Sequence, residues 1–390
     1  MNLTLRPFAT FVSFVALALA ARGLEVTATD HHRATLYHSP EKPGYTCWSG
    51  AWLMPDGDMM VAFTQATGPR HGRPPASAEL LRQMSWTVEY DMTGLDLRNV
   101  HLRSKDGGRT WVQVSADAFE SPMNGISGDC ETALPDGTVV RGVWGQYLPY
   151  NPEVPKTGYL QRSADGTRTW GPPEVFLDPK RFVTWPKRLR VLRDGRLLLV
   201  GGVERVAVDG LARIGDPRRL EPLLAVSSDG GRTWSEPIDL LPPEAKRTPW
   251  GGEEYDAAEL PNGDLLCVFR RPDPDHTPRR EVRWQGVLRK QGTTWIPDWV
   301  APAPFPHSGH PELLATREGV VLHLATTGIY WTADAGRTWR ALDLPGTAYY
   351  PRSVQLADGR ILVVGHIGMD DPYGKVDQSI VVDCFRLVVR

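Results

Sequence analysis

One octapeptide constrains this chain more than anything else in it. SKDGGRTW at 104–111 returns as SADGTRTW at 163–170, SSDGGRTW at 227–234 and TADAGRTW at 332–339, with a worn copy, LRKQGTTW, at 288–295. Recurrence on this scale marks a repeat architecture. Each position has a mechanical reading. The Asp (Asp106, Asp165, Asp229, Asp334) accepts hydrogen bonds from turn N–H groups. The glycine in fifth place supplies a positive φ. The closing Trp (Trp111, Trp170, Trp234, Trp295, Trp339) carries a large area to bury between sheets. The octapeptide therefore reads as a turn locked onto a sheet, not as a ligand site used five times.

A second repeat sits between the copies. LMPDGDMMVAF, ALPDGTVVRGVW, VLRDGRLLLVGG, ELPNGDLLCVFR, LATREGVVLHLA and QLADGRILVVGH each place an Asp/Asn/Glu-Gly turn between two apolar runs. That is a β-hairpin signature. Their glycines are Gly57, Gly137, Gly195, Gly263, Gly319 and Gly359. Each unit is one hairpin, A–B, followed by a second, C–D, that turns on the octapeptide. Six such units arranged radially make an all-β, six-bladed β-propeller. The sixth unit ends in the single strand SIVVDCFRLVV, so a strand from within Leu24–Ser39 is expected to complete it. Ring closure leaves no open sheet edge.

Composition narrows the class. The chain has 390 residues and a net charge of −2, which argues against a general nucleic-acid binder. Phe8 to Ala21 is apolar, follows Arg6 and ends in small residues. It reads as a secretory signal peptide, 1–22, ahead of one propeller domain, 23–390. Secretion or periplasmic export and a soluble monomer are expected, with no membrane partner after cleavage. Of the four cysteines, Cys47 and Cys130 are a possible bridge; buried thiols are the plainer reading. No spacing matches a metal motif, and no cofactor is expected.

Both turns of each unit lie on one rim, so the start of strand A and the end of strand B meet on the other, around the axis. Counting back from each hairpin glycine gives Trp48, Gly128, Pro186, Glu254, His310 and Tyr350; counting forward gives Thr64, Trp144, Gly202, Arg270, Thr326 and His366. Pairing sets Glu254 beside Arg270, His310 beside Thr326 and Tyr350 beside His366. Polar groups converging on the axis mark a candidate site.

S-x-D-x-G-x-T-W resembles the Asp-box, or BNR repeat, of the sialidase (neuraminidase) superfamily, over nearly the whole mature chain. The resemblance implies a tyrosine nucleophile, a Glu partner, an Asp acid/base and three arginines on the sugar carboxylate. EEYDAAELPNGDLLCVFR resembles the segment bearing the Glu and one Arg, which puts those roles on Glu254 and Arg270. YYPRSVQLADG resembles the nucleophile segment, which points to Tyr350. In EYDMTGLDLRNVHLRSKDGG the acid/base falls on Asp91, with Asp96 as second choice. A Tyr, with a free pKa near 10, needs such a carboxylate beside it.

The chain also departs from that pattern. Thr46-Cys47-Trp48-Ser49 stands where the first arginine is expected, and blade 5 offers only His323. Arg352, Lys187, Arg188 and Arg271 are the stand-ins. Trp48, His310, His366, Asp377 and Gln378 complete the substrate-binding candidates. The stretch 270–283, RRPDPDHTPRREVR, reads as a solvated loop that could steer an anion. Three functions fit: an exo-acting glycosidase on a terminal acidic sugar, sialic acid first; a lyase or glycosidase of uronate glycans using His310 or His366; and a non-catalytic glycan-binding propeller.

Overall fold

The apolar runs on either side of each Asp/Asn/Glu-Gly turn pair as antiparallel hairpins, closed by turn bonds such as Gly57 N to Met54 O at 2.9 Å. The computed structural model describes residues 23–39, 45–68, 72, 75, 77–78, 95–118, 130–144, 157–205, 221–242, 254–273, 281–306, 309–367 and 378–390. The segment read as a signal peptide lies outside them, as does the Cys47 side chain.

The described strands form six sheets. Strand β1 (Val26–His38) belongs to the last of them. Blade 1 is β2 (Tyr45–Leu53), β3 (Met59–Thr67), β4 (Asp96–Ser104) and β5 (Val112–Ala118). Blade 2 is β6 (Glu131–Ala133), β7 (Val139–Val143), β8 (Tyr159–Ser163) and β9 (Glu174–Val175). Blade 3 is β10 (Phe182–Val191), β11 (Leu197–Arg205) and β12 (Glu221–Ser227), with a bridge from Leu224 to Ile238 in fourth place. Blade 4 is β13 (Tyr255–Glu259), β14 (Leu265–Pro272), β15 (Glu281–Gln291) and β16 (Thr294–Pro302). Blade 5 is β17 (Glu312–Ala315), β18 (Val321–Ala325), β19 (Gly328–Thr332) and β20 (Arg340–Leu342). Blade 6 is β21 (Tyr349–Gln355), β22 (Arg360–Ile367), β23 (Ser379–Val389) and β1, which pairs with β23 and closes the ring as expected.

Burial follows the radial order. Every residue of β3 is buried, whereas β5 at the outer edge is exposed or half-buried. Apolar side chains interlock between neighbouring blades, as where Val61 and Phe63 of blade 1 meet Val354 and Leu362 of blade 6. This inter-blade burial is the main force holding the ring.

The four well-kept octapeptides build the same turn. Asp229 Oδ1 accepts from the N–H groups of Arg232 and Thr233 at 3.0 and 2.9 Å, and Oδ2 from Thr233 Oγ1 at 2.6 Å. Bonds from the Thr233 hydroxyl and N–H hold the Asp229 carboxyl well below the usual carboxylate range. Gly108, Gly231 and Gly336 have φ of 85°, 84° and 80°; in the second copy Thr167 takes 75° instead. Thr167 is tied there by its N–H to Ser163 Oγ and by its hydroxyl to Ser115 Oγ. The worn copy differs. Gln291 pairs with Thr294, so Gly292-Thr293 is a two-residue hairpin, without the Asp-centred turn. Trp295 still inserts, its indole N–H bonding Gly263 O at 2.8 Å.

Candidate active site

The first strands of blades 1, 3 and 6 break register where they reach the upper end of the axis. Pairing skips between Cys47 and Gly50, between Pro186 and Arg188, and between Tyr349 and Arg352. Counting from the hairpins assumed unbroken ladders. It set Trp48 beside Thr64, Pro186 beside Gly202 and Tyr350 beside His366; the observed partners are Cys47, Trp185 and Tyr349. A bulge inserts a residue and re-aims the side chains around it. Trp48 and Tyr350 take φ of 51° and 50°, left-handed values uncommon for bulky residues. Gly365 makes room for the bulge: a Cβ there would lie 2.8 Å from Tyr349 O.

The bulge delivers the Tyr350 hydroxyl to Glu254, where Oη donates to Oε1 at 2.7 Å. The other carboxylate oxygen, Oε2, pairs with Arg270 Nη1. The blade 4 ladder is unbroken here, and Arg270 N donates to Glu254 O at 2.9 Å. Burial opposes ionisation of Glu254, but the charges of Arg270 and Lys187 outweigh it and hold the carboxyl below its ordinary range.

Cations crowd this pair. Lys187, the residue displaced by the β10 bulge, is buried, with Nζ 4.6 Å from the Trp144 ring centre and 5.5 Å from that of Tyr350. Arg283, opposite Arg270 on β15, is buried and donates to Gly309 O. Arg352 is fully buried, 3.7 Å from Glu312 and 3.2 Å from His310 Nδ1. Arg188, offered as a stand-in on sequence, is committed below: its Nη2 bonds Glu312 Oε1 at 2.8 Å. With Glu312 set against Arg188, the cations Lys187, Arg270, Arg283 and Arg352 outnumber Glu254 and Glu281, and the pocket is electropositive.

His310 lies 5.9 Å from the Tyr350 ring. Its Nδ1 lies 2.7 Å from Pro311 O, an acceptor, and 3.2 Å from Arg352 Nη1, which can only donate. Nε2 is buried and has no hydrogen-bond partner among the described residues. Burial, then the charges of Arg352 and Lys187, push its pKa well below the ordinary value, so the ring is neutral. His366 stacks on Tyr350 at 6.0 Å, with the Tyr349 edge against it at 5.2 Å. Trp48 packs with Tyr350 in the same apolar wall.

Other candidates stand elsewhere. Gln378 is buried and accepts from Thr46 N at 2.9 Å, holding the start of blade 1. Asp96 is exposed at the start of β4 and binds Arg98. The Arg271 guanidinium lies over Trp284 at 4.2 Å, and His323 stacks on Phe305 at 4.1 Å. Asp91 and Asp377 lie outside the described residues. The stretch 270–283 is not a solvated loop at its ends: Arg271 and Arg283 are buried strand residues. Arg283 was not singled out in the sequence, because the connection between β14 and β15 hides the register that pairs it with Arg270.

A tyrosine, a carboxylate and a guanidinium in line, under a cluster of cations, can deliver a nucleophile to an anionic ligand. A cavity of 630 Å³ opens along the axis on the opposite rim, bounded by hairpin-turn residues such as Leu53, Leu192, Pro261 and Gly319.

No family model matches the chain. It is 24% identical over 258 residues to a sialidase of Micromonospora viridifaciens, covering 64% of this chain and 34% of that protein. The chain thus spans about a third of the length of the curated relative it matches. Among solved structures it is similar to an α-L-arabinofuranosidase of Fusarium graminearum complexed with arabinobiose, with a TM-score of 0.61, 15% identity, and 90% of this chain and 97% of that one covered. It is also similar to an intramolecular trans-sialidase from Ruminococcus gnavus in complex with oseltamivir carboxylate, with a TM-score of 0.57, 12% identity, and 90% and 97% covered. The six-bladed propeller is the fold of those glycosidases.

Proposed function

We propose that this chain is an exported, exo-acting glycoside hydrolase that releases a terminal acidic sugar, sialic acid first among them. The observation that carries the reading is the line from Tyr350 through Glu254 to Arg270, set among Lys187, Arg283 and Arg352. Tyr350 Oη attacks the anomeric carbon and passes its proton to Glu254 Oε1. The glycosidic C–O bond breaks, and the leaving oxygen takes a proton from Asp91. Water then reverses the exchange: it gives a proton to Asp91, displaces the tyrosyl oxygen, and Glu254 returns the proton to Tyr350. A neutral tyrosine suits a substrate whose own carboxylate would repel an anionic nucleophile. The sequence relationship to a sialidase supports the same reading.

Trapping tests it. A fluorinated sialyl donor followed by mass spectrometry of the digested protein should leave an adduct on Tyr350. An active enzyme that forms no adduct, and keeps its rate as Tyr350→Phe, would move the chemistry elsewhere.

One observation favours a second reading, a glycosidase for a neutral sugar. His310 and His323 are both held neutral by burial in blade 5, where an arginine on the sugar carboxylate would be expected. Parallel assays on aryl sialosides and aryl arabinofuranosides separate the two.

A further inference from the structure

Of the four cations gathered at Tyr350 and Glu254, only Arg270 reaches solvent. Its side chain is 30% exposed, whereas Lys187 and Arg283 are 2% exposed and Arg352 is 0%. An anion entering the pocket therefore meets Arg270 first. That guanidinium is already paired: Nη1 binds Glu254 Oε2, and Nε lies 3.7 Å from Glu281 Oε2. The oxygen it holds belongs to the same carboxylate whose other oxygen receives the Tyr350 hydroxyl.

We propose that Arg270 is exchanged between Glu254 and the carboxylate of the substrate, and that this exchange arms Tyr350. The inference rests on the acidic-sugar reading above. Before binding, Arg270 stabilises the ionised form of Glu254 and makes it a weak base. A substrate carboxylate competes for the same N–H groups with like charge and comparable geometry. As Arg270 turns to it, Glu254 loses its strongest partner and gains a neighbouring negative charge. Both changes raise its affinity for a proton. Each unit of added basicity makes transfer of the Tyr350 proton to Oε1 tenfold more favourable. The nucleophile is thus weak in the empty site and strong when an anionic sugar is seated. A neutral sugar has no group to draw Arg270 away.

The charged and titratable groups facing Glu254 come from four elements: Arg270 of β14, Arg283 of β15, Lys187 of β10 and Tyr350 of β21. Only the first is both hydrogen-bonded to Glu254 and accessible, so the exchange is confined to it. Lys187 and Arg283 stay in place, and their charges continue to favour the ionised form of Glu254. His310 is neutral and adds no charge.

The test is the pH dependence of kcat and of kcat/KM for aryl glycosides of sialic acid and of glucuronic acid, at pH 4–8, where both substrate carboxylates are ionised. The profile of kcat/KM reports the free enzyme and that of kcat the complex. Exchange predicts an acid limb in kcat at least one pH unit above any limb in kcat/KM. Arg270→Gln, with Glu254 already released, should raise the kcat/KM limb towards that of kcat and leave only the smaller gap that the substrate's charge makes. Wild-type limbs that coincide while an acidic glycoside is cleaved would overturn the exchange and leave the acidic-sugar reading standing. Failure to cleave either acidic glycoside would remove that reading, and the exchange with it.

Discussion

Tyr350 and Glu254 are 96 residues apart in sequence and 2.7 Å apart at Oη and Oε1. They sit on blades 6 and 4, which do not adjoin, so only convergence on the propeller axis brings them together. The bond is buried, and a group that close to its base acts with it as a unit. Tyr350→Phe and Glu254→Gln should each lower kcat about a thousandfold or more, and the double variant little further. Losses that multiply in the double variant would show that the two act separately.

The octapeptide turns belong to the fold, on the rim away from Tyr350. Asp334 binds Thr338 N at 2.8 Å, Thr338 Oγ1 at 2.7 Å and Thr332 Oγ1 at 2.8 Å, and is largely buried. Asp334→Ala should lower stability by about 1–2 kcal/mol, the scale of a lost capping side chain. Turnover per folded molecule should stay near wild type. Urea denaturation alongside active-site titration checks both halves; lost turnover with full stability would contradict the structural role.

The site was legible in the sequence only where pairing is regular. The blade 4 ladder runs unbroken from the Gly263 turn, so Glu254 and Arg270 were found as neighbours by counting. The blade 6 ladder slips between Tyr349 and Arg352, so counting named the right tyrosine and the wrong partner for His366. Arg283 pairs across a long connection after Arg270, which hides the register. Arg188 finds Glu312 across the axis, 124 residues away, and no local pattern carries such a contact.

His310 and His323 supply a pH test of the fold. Burial, aided by nearby cations, pushes both well below the ordinary histidine pKa. The unfolded chain therefore binds protons that the native state refuses. Stability is fully present above the unfolded value of about 6.5 and falls as the pH drops below it. Neither ring nitrogen of His323 has a hydrogen-bond partner among the described residues, so a leucine there loses no hydrogen bond to them. His323→Leu should flatten the loss of urea midpoint between pH 7 and pH 5 while keeping the midpoint at pH 7. An unchanged slope would mean that His323 is protonated in the native protein.

Lys187 is where anion preference can be separated from packing. The β10 bulge displaces it from the ladder into the wall between Trp144 and Tyr350, 4.6 and 5.5 Å from the two ring centres. A buried ammonium is expensive unless nearby negative charge and polarisable faces offset the desolvation. Here the aromatic faces and Glu254 do so, and an anionic sugar above Tyr350 would add to them. Methionine keeps the length and the contacts with both rings while removing the charge. Lys187→Met should therefore lower kcat/KM for an acidic aryl glycoside about ten- to a hundredfold, mostly through KM, because a remote cation binds ground state and transition state alike. The same substitution should leave an analogue lacking the carboxylate within about threefold of wild type. Comparing the two substrates on one preparation cancels any shared loss of folded protein. Equal losses on both would assign Lys187 to the architecture of the wall and remove it from recognition of the anion.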